Sequence, residues 1–377
     1  MNNSKKAIIA GLILCLICIV SVLVIKSYQN KQKDDNVLKI GAILPLTGSV
    51  SDIGEGNKAG IELALEKVNA DGKRIEVYFE DGKGDATTSL SAMKKLKMQG
   101  VDVFILSTTQ TVAPILQNYR KDTSLLFSAV CQTKGILDDN NNSFRLYFTS
   151  ENETTKMANH IVANGYRRIA VFRLNTESCM EPIQTMQQKV SDLGYEADYF
   201  EQIFEFSDMD YKTYIANIKN YNPDLLVVYS YPKQWQGIVR QLVEQNVTCN
   251  IMGNSGFGQT AENEYFKDLN IMNNIVFPAP YFVIGKDNDS NLQQVIKDLK
   301  DKYHLNADWN ILYLYDNIMV LADNLQYADN KAEMLHNMCS KEYKGITGTI
   351  AFDEKNDIKP SDLQMVKIVK GKYIQVQ

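Results

Sequence analysis

The sequence predicts an α/β protein, with parallel sheets covered by helices on both faces and the chain divided into two domains. Three observations carry this. Short apolar runs alternate with stretches of helical spacing along most of the chain, its 377 residues exceed one typical core, and the alternation restarts after Tyr147-Phe-Thr-Ser-Glu151.

The first unit opens at Lys39–Asn69. Ile40, Ala42, Ile43 and Leu44 have the length and apolar character of a strand, and Pro45, with no N–H to donate, ends it. Ile61, Ala64, Leu65 and Val68 then recur at helical spacing with Glu62, Glu66 and Lys67 opposite, so this helix covers one face of a sheet. Between them lie Thr47, Gly48, Ser49, Ser51, Gly54 and Gly56. Small residues there either let a ligand reach backbone N–H groups at a strand's carboxyl end or simply make a permissive strand-to-helix loop. The glycines read Gly54-x-Gly56-x-x-x-Gly60, one residue out of step with the dinucleotide fingerprint, which argues against a nicotinamide or flavin cofactor.

Ile75–Phe79 alternates as a strand, Asp85–Gln99 carries Leu90, Met93 and Leu96 at helical spacing, and Val101–Leu106 is a buried strand. The hydroxyl-rich loop Ser107-Thr-Thr-Gln-Thr leads into a helix through Tyr119, and a strand at Leu125–Ser128 runs into Ala129-Val-Cys131-Gln. The second unit repeats the design. Helices are expected near Glu153–Asn164, Glu181–Leu193, Asp210–Tyr221 and Lys233–Gln245, between strands at Ile169–Phe172, Ala197–Phe200, Leu225–Tyr229 and Asn250–Met252. A strand at Ile275–Phe277 follows, then helices near Asn291–Tyr303, Trp309–Leu325 and Lys331–Met338. Finally the polar turn Glu354–Asp357 is expected to join strands at Gly348–Asp353 and Leu363–Val369, with Lys370-Gly371 as a tight hairpin turn into Tyr373–Val376.

Composition narrows the function. With 45% hydrophobic and 23% charged residues, 8 Pro and 21 Gly, the chain has the makeup of a globular protein. A net charge of -5 argues against nucleic acid, whose phosphates need clustered Lys and Arg. Cys131, Cys179, Cys249 and Cys339 are too scattered for a disulfide framework or a zinc ribbon, and His160, His304 and His336 form no ligand pair at helical spacing, so no metal is expected. Gly253-Asn-Ser-Gly256 reads G-x-S-G rather than the nucleophile elbow, and neither a P-loop nor HExxH occurs. The chain is not expected to be an enzyme.

The N-terminus departs from this average. Lys5 and Lys6 precede an uncharged run, Ala7–Ile25, long enough to span a bilayer, and no small-residue cleavage site follows it. An uncleaved signal anchor is preferred over a degenerate lipoprotein signal at Cys15 or Cys18, with Asn30–Asn36 as a tether and the body, from Val37, on the extracytoplasmic face of the cell membrane.

The ordered series IGAILPLTG, IELALEKVN, FILSTTQTVAPILQNY, LLFSAVCQT, RRIAVFRLN, PDLLVVYSY and ITGTIAFDEKNDI resembles the type I periplasmic binding proteins, specifically the branched-chain amino acid and amide group serving ABC importers. The resemblance covers nearly all of Val37–Gln377. It implies two Rossmann-like lobes joined by three hinge crossings, near Tyr147–Glu151, Val276–Pro280 and Asp353–Pro360, closing over ligand. Lobe 1 would comprise residues 37–149 plus 278–356, and lobe 2 residues 150–277 plus 357–377, behind the anchor and tether of residues 1–36.

Position by position, the resemblance implies that Ser107 and Thr108 hold a carboxylate. Ala129 and Cys131 would meet the ligand's polar end through a backbone carbonyl and a side chain. Ile53 would line an apolar pocket, Tyr231 would close over the ligand, Ser178 would occupy a usually aromatic position, and Ser255-Gly256 would hold the ammonium. Two departures stand out. Ser255 replaces the acid that pairs with an ammonium, so Glu177 or Glu181 compensates or the ligand is not an α-amino acid. Cys131 also replaces a hydroxyl with a weaker hydrogen-bonding group. The implied partners are a small-molecule ligand and the permease and ATPase subunits of an ABC importer, with the alternative of a ligand sensor working through a separate kinase or chemoreceptor.

Overall fold

A computed structural model describes residues 37–139, 141–261, 266, 269–284, 288–359, 363–369 and 372–376. The expected anchor Ala7–Ile25, its tether and the Lys370-Gly371 turn lie outside the described residues. Among the described residues no helix is long and apolar enough to cross a membrane.

The chain begins with β1 (Leu38–Leu44), α1 (Ser51–Ala70), β2 (Ile75–Asp81), α2 (Ala86–Met98), β3 (Val103–Ser107), α3 (Thr109–Tyr119), β4 (Leu126–Val130) and β5 (Ser143–Phe144). These five strands form one parallel sheet in the order β2-β1-β3-β4-β5. The strands β3 and β4 are buried along their whole length because helices cover both faces, which is why they read as continuous apolar runs. Asp85 caps α2 by accepting from the Thr88 N–H at 2.8 Å.

A second sheet follows from α4 (Ser150–Ala163), β6 (Arg168–Leu174), α5 (Glu177–Asp192), β7 (Asp198–Phe204), α6 (Lys212–Tyr221), β8 (Leu225–Tyr229), α7 (Pro232–Glu244), β9 (Asn250–Gly253), the short α8 (Phe257–Ala261) and β10 (Ile275–Pro280). The chain then returns to the first sheet's flank with α9 (Ser290–Asp298), α10 (Trp309–Ala322), α11 (Lys331–Cys339) and the hairpin β11 (Tyr343–Gly345) with β12 (Gly348–Ile350). It ends on β13 (Leu363–Val369) and β14 (Lys372–Gln375), which complete the seven-stranded order β14-β13-β10-β9-β8-β6-β7.

One sequence expectation fails here. The strand at Gly348–Ile350 pairs with Tyr343–Gly345, whereas Leu363–Val369 joins β10 and β14 in the other sheet, so the turn at Glu354–Asp357 does not pair the two strands it connects and closes only a single antiparallel bridge between Phe352 and Ile358. It is part of a passage between the sheets. Local alternation cannot distinguish a strand's neighbour in sequence from its partner in space.

Of the two readings open for the small residues of the opening segment, ligand access and a permissive loop, the glycines within α1 favour neither and serve packing. Gly54 and Gly60 lie inside α1, where an added Cβ would fall 2.1 Å from the Pro45 carbonyl oxygen and 2.4 Å from that of Ile311. They let α1 close on the β1 exit and on α10, rather than opening the backbone to a ligand. Asp81 fastens the loop itself, accepting from the N–H groups of Leu46 (3.0 Å), Thr47 (3.2 Å) and Lys83 (2.8 Å) and from the Thr47 hydroxyl (2.5 Å). Burial opposes its ionisation, but these donors outweigh burial and hold its carboxyl below the ordinary value.

Where the sheets meet, Arg145 is buried and its guanidinium grips Asp357 while donating to the carbonyls of Cys131 (3.2 Å) and Thr133 (2.6 Å). Two stretches more than two hundred residues apart in sequence are thereby tied side by side. An Arg–carboxylate pair of this kind is geometrically demanding, which fixes how these two stretches lie against each other.

Candidate functional site

Both sheets direct the carboxyl ends of their parallel strands toward one cavity of about 140 Å³. This is where open α/β sheets bind ligands.

The first wall comes from β3, β4 and the helix that follows β3. Ser107 ends β3 and Thr108 precedes α3, with φ 74° and ψ 149° at Thr108, a backbone conformation almost reserved for glycine. The Thr108 N–H bonds the Val130 carbonyl at 3.1 Å, and its carbonyl accepts from Thr111 and Val112, so the strain is held by its surroundings. It turns the amino terminus of α3 toward the cavity, where unpaired N–H groups and the helix dipole favour an anion. Behind it, the Asn57 Nδ2 donates to the Ser107 Oγ at 2.6 Å, which occupies that oxygen as an acceptor and leaves its proton to donate.

The second wall is a network of side chains. Glu153, fully buried on α4, accepts from the Tyr229 hydroxyl at 2.6 Å and from the Ser255 N–H at 2.5 Å. Burial raises its pKa despite those two bonds. Asn254 accepts from the Trp235 indole at 2.9 Å and from the Ser230 N–H at 3.3 Å, and donates to the Ser230 carbonyl at 3.0 Å. Ser178 and Tyr231 pair through their hydroxyls at 2.9 Å, while the Tyr231 ring stacks on Phe206 at 5.8 Å. Among the described residues no Lys, Arg or His lines the cavity.

The walls touch. Gln132 donates to the Ser255 Oγ at 3.2 Å, and the Gln259 side chain bonds Asp308, whose carboxylate caps α10 by accepting from the Ile311 N–H. Burial pushes the Asp308 pKa up to about 6. Trp309 lies directly over Gly258, where a Cβ would fall 1.8 Å from the indole ring.

Of the nine expected ligand-binding residues, Ile53, Ser107, Thr108, Cys131, Ser178, Tyr231, Ser255 and Gly256 all line this cavity. Ala129 is not among the lining residues, its methyl facing the core cluster of α2 and α3 while its neighbour Val130 lines the cavity; the contact implied for Ala129 is through its backbone carbonyl. Glu181 is on the wall, accepting from Ser150 (3.4 Å) and Thr185 (3.0 Å), whereas Glu177 is exposed and off it. Sequence reasoning missed Gln132, Tyr229, Ser230, Asn254 and Glu153. Tyr229, Ser230 and Asn254 stand at ends of strands that were legible, so the strand-end rule locates them. Glu153 carries no such signal, being one acid among several on a helix.

A sequence model described as periplasmic binding protein matches residues 37–372. The chain belongs to the periplasmic binding protein family. Its relatives include leucine-, isoleucine- and valine-binding proteins, the kind of protein that the sequence resembled. The leucine-, isoleucine-, valine-, threonine- and alanine-binding protein of Pseudomonas aeruginosa is 22% identical over 361 residues, covering 91% of this chain and 92% of that one. A Leu/Ile/Val-binding protein homologue from Brucella melitensis is 20% identical, over 90% of this chain and 94% of its own. Among solved structures, the branched-chain amino acid transporter substrate-binding protein of Streptococcus pneumoniae in complex with isoleucine superposes with a TM-score of 0.76 at 20% identity, covering 90% of this chain and all of that one. An ABC transporter solute-binding protein of R. palustris in complex with benzoate superposes at 0.80 and 14% identity, covering 90% of this periplasmic binding protein and 95% of its counterpart.

Proposed function

We propose that this chain is the extracytoplasmic solute-binding protein of an ABC importer. It captures a small organic carboxylate, in the class of branched-chain amino acids, amides and related acids, and presents it to permease and ATPase subunits. Lobe 1 (residues 37–149 plus 278–356) and lobe 2 (residues 150–277 plus 357–377) close over the ligand about the crossings around Arg145 and Asp357, and the Ala7–Ile25 segment anchors the body to the membrane.

The observation that supports this reading best is the first wall. Ser107 is set to donate, the amino terminus of α3 faces the cavity, and no basic side chain among the described residues lines it, which is how backbone and hydroxyl donors hold a carboxylate without a cation. Ile53 and Trp309 supply the apolar surface for the ligand's body. The relatives' own ligands, branched-chain amino acids and benzoate, share a carboxylate on an apolar frame.

Thermal unfolding of the full chain against amino acids, amides and benzoates tests it. A true ligand at a hundred times its Kd adds about 2.7 kcal/mol and raises Tm by several degrees. A melting point unmoved by every carboxylate would remove the reading.

A further inference from the structure

We propose that Ser230 is a specificity-determining residue of the cavity, selecting a ligand whose far end carries an uncharged hydrogen-bonding group, such as a hydroxyl or an amide, in place of an ammonium. The inference rests on the carboxylate-binding reading above.

On the second wall the polar groups are already committed. One Glu153 oxygen takes the Ser255 N–H and the other takes the Tyr229 hydroxyl, and Glu153, fully buried behind them, is not among the residues that line the cavity. The Ser178 and Tyr231 hydroxyls satisfy each other, and the Ser255 Oγ accepts from Gln132. Asn254 then clamps Ser230 from both sides, taking its N–H at 3.3 Å and donating to its carbonyl at 3.0 Å.

One group is left over. Ser230 is 1% exposed and lines the cavity, yet its hydroxyl has no partner among the described residues. Buried hydroxyls are normally paired, and the Asn254 clamp fixes the main chain that carries this one at the cavity wall. A neutral ligand group supplies that bond. An ammonium would bring a full charge and three donors to a wall offering one hydroxyl, and burying a charge so poorly compensated costs far more than one bond returns. Glu181, the single carboxylate among the lining residues, is half-exposed and already accepts from Ser150 and Thr185.

Calorimetric titration of the full chain with benzoate, 4-hydroxybenzoate and isoleucine tests this. The wild type is expected to bind 4-hydroxybenzoate about fivefold to tenfold more tightly than benzoate, and both more tightly than isoleucine. Ser230→Ala removes the preference by weakening 4-hydroxybenzoate to the level of benzoate and melts, when empty, at the same or a higher temperature, since it deletes an unpaired buried hydroxyl. Ser230→Gly gives the same ligand readout if the alanine methyl is crowded. A preference absent from the wild type, or kept in both variants, overturns the role of Ser230 and leaves the carboxylate reading standing. Isoleucine as the tightest ligand overturns the inference directly, and failure of all three to bind removes the carboxylate reading along with it.

Discussion

The two walls of the cavity are built by different means. The first is made of backbone: a strand end, the strained Thr108 and the amino terminus of a helix, with Asn57 as the side-chain support of Ser107. The second is made of side chains, in which Glu153, Asn254, Trp235 and Tyr229 hold one another across 76 to 102 residues of sequence where Glu153 is involved. A backbone wall presents the same donors whatever its surface residues are, so it suits the ligand group shared by the relatives. A side-chain wall changes with each substitution, so it is where one member's selectivity resides.

If that contrast is right, removing Asn254 should do the most damage. Asn254→Ala strips the buried Trp235 indole of its acceptor and releases both main-chain groups of Ser230. A loss of about 2–4 kcal/mol is expected in urea denaturation, together with weakened ligand binding. A near-neutral result would mean the second wall is held by packing alone.

Asp308, on the seam between the walls, ranks next. Burial raises its pKa from 3.8 to about 6, so between these values the folded protein holds a proton the unfolded chain has lost. The stabilising contribution of its neutral form is complete below 3.8 and disappears as pH rises through 6. Relative to Asp308→Asn, the wild type should therefore lose about 2–3 kcal/mol between pH 4 and pH 7. Parallel stability–pH curves for the two proteins would show that Asp308 is already charged throughout.

The smallest effect belongs to the first wall and has the opposite sign. Thr108 occupies a glycine-like conformation at φ 74°, so Thr108→Gly relieves strain and should raise stability by about 1 kcal/mol or less, even though it removes a lining hydroxyl. A stabilised protein with weaker carboxylate binding would sharpen the contrast, whereas a destabilised one would show the hydroxyl to be structural.

Much of the first wall was legible before any coordinates. Apolar runs such as Val101–Leu106 and Leu125–Ser128 running into hydroxyl or small residues mark the carboxyl ends of parallel strands, and eight of the nine residues expected across the two walls line one cavity. Ala129 packs into the core cluster of α2 and α3 while Val130 lines the cavity, because strand alternation turns neighbouring side chains to opposite faces. The small residues before α1 read equally as ligand access or as a permissive loop, and the part Gly54 and Gly60 play in helix packing was not legible, since a sequence shows that a residue is small but not what lies against it.

What the sequence by itself determined is therefore the α/β alternation, the restart that makes two sheets, the family and the strand-end loops, all of which depend on periodicities a few residues long. Tertiary structure alone decided that Glu153 is consumed by Ser255 and Tyr229, that Asn254 immobilises Ser230 and leaves its hydroxyl unpaired, and that Asp308 is buried where the walls touch. Each of these depends on whether a polar group meets a partner or water, and that is settled only when distant segments pack together.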